Sequence, residues 1–151
     1  MLDKNFITRK IKLIQEEISR LEELSNYTFK EIDTDFIKKY SVERALEKII
    51  MRAIDINQHI IAENAVGDEK LRGYEDTFYV LAELGIYPLE FGKQIAPSAG
   101  LRNRLVHEYN DTQDEIIYNS VKDAITQYTE YCNFILKFIY DNNNTIEHSK
   151  H

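Results

Sequence analysis

Ile7, Ile11, Ile14, Ile18 and Leu21 follow one another at alternating steps of four and three. That spacing places five apolar side chains on one stripe of an α-helix, whereas a strand would scatter them over both faces. The pattern recurs at Val42, Leu46, Ile49, Ala53, Ile56 and Ile60, and again at Ile117, Val121, Ala124, Tyr128, Tyr131 and Ile135. Three long amphipathic stripes must bury their apolar sides against one another. With only 5 Gly and 2 Pro in 151 residues, little material remains for the turns of a β fold.

The punctuation between the stripes sets the helix order. Ser41 is followed by Arg44, not Glu, at the capping-box position, so Asp33 or Thr34 is the expected N-cap of a long second helix reaching about Ala65. The segment "AVGDEKLRGY" reads as a break, with Gly67 and Gly73 as its turn residues. "YEDTFYVLAELG" reads as a short helix closed by Gly85, after which Pro88 starts a further turn. A helix follows from about Pro97 and Ser98, then a turn at Asn110 and Asp111. Thr112 and Glu115 have capping-box spacing at the head of a last helix that stops near Asp141. The expected fold is all-α, an up-down bundle of four main helices plus a minor one, in one domain over residues 1–142. A polar tail, 143–151, is expected to be disordered.

Composition narrows the function classes. Cys132 is the single cysteine, so neither an intrachain disulfide nor a thiolate metal cluster can form. The N-terminus lacks an apolar signal core, and no run approaches the roughly 20 apolar residues of a membrane span. A cytoplasmic location without membrane contact is expected. The net charge of −7 argues against wholesale coating of nucleic acid, and restricts any such contact to a local cationic pocket. Neither His59 nor His107 has a Glu three residues earlier, which sets a di-iron bundle aside. The scattered glycines form no phosphate-cradling loop. No cofactor is expected.

Residues 101–110, "LRNRLVHEYN", concentrate chemistry that the rest of the chain lacks. In an arbitrary helix such residues would be a solvated face around Leu101 and Leu105. At about 100° per residue, Arg102 and Tyr109 fall on nearly one line, while His107 lies roughly 140° from Arg102. Asn103 and Arg104 are the face-mates of His107. For Arg102 and His107 to act together, the arginine must reach around the helix, the helix end must be irregular, or two copies must meet. The last option also doubles the local positive charge.

Arg102-Asn103-Arg104-Leu105-Val106-His107-Glu108-Tyr109 resembles the signature of the HEPN superfamily. With a tyrosine two past the histidine, it is similar to the HepT toxin branch. The upstream segment "SVERALEKIIMRAIDINQHIIAE" resembles that branch's long second helix, and the helix order matches over most of the chain. The resemblance implies a metal-independent ribonuclease, homodimeric, with two motifs facing each other across a cleft and either tRNA or mRNA as substrate. It implies Arg102, Asn103 and His107 as the catalytic set. His107 titrates near neutrality and suits proton transfer; Arg102 is a permanent cation whose fork suits phosphate oxygens. It further implies that Tyr109 receives AMP from a cognate MntA-like nucleotidyltransferase antitoxin. Arg104 and Arg72 are candidate RNA contacts, against the plainer alternative that both are solvated surface. The rival function is a non-catalytic HEPN-like module that binds a nucleotidyltransferase. Asp55 and His59, four apart, are expected to form a local polar pair.

Overall fold

The structure, a computed structural model, describes residues 2–64, 71–107 and 111–149, without the side chains of 103, 105–107, 111–114 and 143–149. Among these residues lie seven helices: α1 Lys4–Leu24, α2 Phe29–Asp33, α3 Phe36–Glu63, α4 Tyr74–Glu83, α5 Leu89–Ile95, α6 Ser98–His107 and α7 Asp111–Ser149. Every residue of the three sequence stripes is buried. The stripes of α1, α3 and α7 meet in one continuous core, to which α4, α5 and α6 add Phe78, Leu81, Phe91, Ile95 and Leu101.

Polar contacts between helices fix their directions. The Asp3 backbone N–H donates to His59 Nε2 at 3.0 Å, Lys10 meets Asp55 at 3.0 Å, and Glu17 lies 3.7 Å from Lys48. Positions rise along α1 as they fall along α3, so the two are antiparallel. The Tyr118 hydroxyl donates to the Tyr27 carbonyl at 2.5 Å, and Tyr131 reaches Ala53 at 3.1 Å, which sets α7 antiparallel to α1 and alongside α3. Ser98 meets Tyr128 at 2.5 Å, while Leu101 and Arg104 share a groove with Ser120 and Ala124, so α6 runs against α7. Helices α1, α3, α6 and α7 thus form the expected up-down-up-down bundle, with α4 packed against α3 and α5 packed against α4 and α7.

Helix ends differ from expectation where local chemistry decided them. Thr28 and Glu31 form a full capping box and start the additional helix α2. That helix uses Asp33, so the N-cap of α3 moves on to Asp35, which accepts from the Ile37 and Lys38 backbone N–H groups. Helix α7 starts at Asp111, with Thr112 inside its first turn, and runs through the asparagines to Ser149 instead of stopping at Asp141. Asparagine costs a preformed helix well under about 1 kcal/mol per residue, less than a new break would. Gly85 ends α4 as expected. Its φ of 80° is left-handed, and the Ile86→Leu81 and Gly85→Ala82 backbone bonds of 3.1 and 3.0 Å complete a Schellman motif. The expected turn at Gly67 lies outside the described residues. Asp55 and His59 do not form the expected pair: their described bonds both go across to α1, because an antiparallel neighbour supplies better-placed partners.

Candidate active site

Helix α6 carries the motif. Ala96 and Ala99 are small and buried, letting the start of α6 approach the core closely, and Leu101 anchors its middle. Its ten residues include Arg102 and Arg104 and no carboxylate, a local cationic element on an acidic protein. The backbone is helical from Ser98 through His107, which puts positions 102 and 107 about 140° apart around the axis. An irregular helix end therefore does not bring them onto one face.

Arg102 is half-buried on the side of α6 that faces α4. Its Cζ lies 5.5 Å from the centroid of the Tyr74 ring, a cation–π arrangement. Its Nε is buried without a hydrogen-bond partner among the described residues. Tyr74 is the first residue of α4 and is 39% exposed, so this contact sits at the protein surface rather than in the core.

Arg72 is exposed two residues before Tyr74, and its backbone N–H donates to Asp76 at 2.7 Å. The fold therefore brings the loop arginine to the element that touches Arg102. Arg104 goes elsewhere. It is exposed on the α7 side of α6, lining a groove of about 230 Å³ with Gln94, Ser98, Asp123 and Gln127. Asn103 and His107 lie on α6, but their side chains are outside the described residues, and Tyr109 is outside altogether.

Beneath Tyr74 runs a buried polar chain that pattern reading of the sequence does not anticipate. The Thr77 hydroxyl donates to the Tyr74 carbonyl at 2.6 Å and accepts from Asn57 Nδ2 at 3.0 Å. The Tyr131 hydroxyl lies 2.6 Å from Asn57 Oδ1. These groups join α3, α4 and α7, and Asn57 is fully buried. A signal was present: Asn57 falls between Ile56 and Ile60 on the apolar side of α3, where an amide requires partners. Burial also holds the Tyr131 phenol well above its ordinary pKa, so it remains a neutral donor. Among the described residues no three His, Cys, Asp or Glu side chains group as metal ligands.

The family described as Ribonuclease HepT-like matches residues 14–135. A curated relative, the tRNA nuclease HepT of Aphanizomenon flos-aquae (strain 2012/KM1/D3), is 35% identical over 136 residues, covering 88% of this chain and 89% of the relative. The mRNA nuclease HepT of Shewanella oneidensis is 25% identical over 133 residues, covering 87% and 96%. Among solved structures, the tri-AMPylated Shewanella oneidensis HEPN toxin in complex with MNT antitoxin superposes with a TM-score of 0.78. It is 23% identical, and the match covers 89% of this chain and 99% of that one.

Proposed function

The chain belongs to the HepT-like ribonuclease family, and from that premise we propose that it is a metal-independent endoribonuclease toxin acting as a cytoplasmic homodimer. The observation that carries this reading is the motif itself: Arg102, Asn103 and His107 stand on one helix inside the matched span. The helical backbone between positions 102 and 107 supports a composite site, because a second copy of α6 supplies what one face of the first does not. The half-buried, ring-backed setting of Arg102 supports its assignment as the phosphate-facing cation.

In this reading one His107 accepts the proton of an RNA 2′-hydroxyl as that oxygen bonds to phosphorus. The other copy's imidazolium protonates the departing 5′-oxygen as its bond to phosphorus breaks. Arg102 stabilises the charge that develops on the phosphorane, and Asn103 orients His107 or donates to the phosphate. The products are a 2′,3′-cyclic phosphate and a 5′-hydroxyl. The substrate is tRNA or mRNA, in line with the names of the two curated relatives.

Control falls to Tyr109, to which a cognate nucleotidyltransferase antitoxin transfers AMP. The added phosphate and bulk, near the line of Arg102, compete for the phosphate site and repel RNA. Expression of the full chain alone should arrest growth, and His107→Ala should not. Co-expression with the nucleotidyltransferase should relieve arrest and leave AMP on Tyr109 by peptide mass spectrometry. Equal growth of both strains contradicts the toxin reading; adducts confined to other residues contradict the assignment of Tyr109.

A further inference from the structure

We propose that Tyr74 is a positioning residue of this site, acting on Arg102 through its aromatic face. The inference rests on the ribonuclease reading above. A free arginine side chain samples many rotamers, and a guanidinium that must meet a developing phosphorane loses effectiveness when it wanders. Here Arg102 projects from α6 onto a ring that belongs to a different helix, at 5.5 Å from guanidinium carbon to ring centroid. Its Nε is buried, so that edge of the guanidinium faces protein and not solvent.

The ring is itself held. Gly73, the N-cap of α4, offers no side-chain cap, so the first turn of that helix would fray if left alone. Thr77 ties that turn to the core instead, its hydroxyl bonding back to the Tyr74 carbonyl at 2.6 Å, and Asn57 fixes Thr77 at 3.0 Å. Tyr131 fixes Asn57 in turn at 2.6 Å. A chain of hydrogen bonds from the centre of α7 thus ends on the backbone of the residue that supports the cation.

Tyr74→Phe keeps the aromatic face and should behave as wild type. Tyr74→Leu keeps apolar bulk without the ring and should lower kcat about five- to tenfold while KM changes less than about twofold. In an Arg102→Met background, which leaves no cation over the ring, the same leucine substitution should add little further loss to the residual activity. A second readout needs no catalysis. The Arg102 Nε–H resonance of the full chain, assigned by its loss in Arg102→Lys, should show a ring-current shift in wild type and Tyr74→Phe that disappears in Tyr74→Leu. An unchanged resonance, or full activity of Tyr74→Leu alongside an inactive Arg102→Ala, overturns the proposal. So does a change confined to KM, which would make Tyr74 an RNA contact instead. Failure of the wild type to cleave any RNA overturns the ribonuclease reading, and the resonance still decides whether Tyr74 holds Arg102.

Discussion

Thr77 uses one hydroxyl twice, donating to the Tyr74 carbonyl in a part-buried bond and accepting from Asn57 in a fully buried one. Thr77→Val keeps the shape and deletes both, leaving a buried amide without its acceptor. The expected cost is about 1–3 kcal/mol, visible in denaturant unfolding, whereas Thr77→Ser should recover most of it. An unaltered unfolding midpoint for Thr77→Val would show that the polar chain carries no stability. At this scale the sequence discloses residue types more readily than their partners. Arg102 stands out through its company in the motif, yet nothing in the spacing connects it to Tyr74, which lies 28 positions earlier. Glu17 illustrates the same point. Nothing in the α1 spacing connects this carboxylate to α3, yet it is buried, with Arg20 at 2.6 Å and Lys48 and Arg52 of α3 closing over it. Contacts between helices are decided by packing, which a periodicity within one helix does not encode.

Helix ends are settled by local competition. Asp35 caps α3, and its carboxyl is held below its ordinary range chiefly by the hydrogen bond from the Lys38 ammonium at 2.7 Å. A lowered carboxylate pKa adds stability above the unfolded-state value, and that stability is lost as pH falls through the folded-state value. Asp35→Asn, which still caps but cannot pair with Lys38, should therefore melt slightly below wild type at neutral pH. The gap should close as pH drops beneath the carboxylate range. A gap that widens in acid would contradict the assignment. Helix existence is legible from the stripes, and Gly85 is correctly readable as a stop because only the left-handed region completes that turn. The start of α3 is less so, since Asp33, Thr34 and Asp35 are all good caps and only the presence of α2 decides among them. The length of α7 is missed for a related reason: asparagine is a weak breaker when nothing else ends the helix.

Across the whole molecule, the bundle follows from three stripes because long amphipathic helices with few breakers have few other ways to hide their apolar sides. Cys132 reports on that shared core. It is 1% exposed, and burial pushes its thiol up to about 12. At pH 8 the native chain should resist alkylation and react only as it unfolds, with one thiol per chain appearing in denaturant. Rapid labelling of the native protein would show that the core opens readily. The site is legible only in part, because the motif discloses residue types on one helix and not what faces them, as Tyr74 against Arg102 shows. The family match and the α6 motif together support a phosphodiester held between paired Arg102 and His107 side chains. Its most direct test is the chemistry of the cut, using tRNA and the full chain in excess EDTA. Cleavage should persist, yield fragments ending in 2′,3′-cyclic phosphate, and fall at least about a hundredfold in both Arg102→Ala and His107→Ala. Fragments ending in 3′-hydroxyl, activity abolished by EDTA, or a His107→Ala variant cutting at the wild-type rate would contradict it.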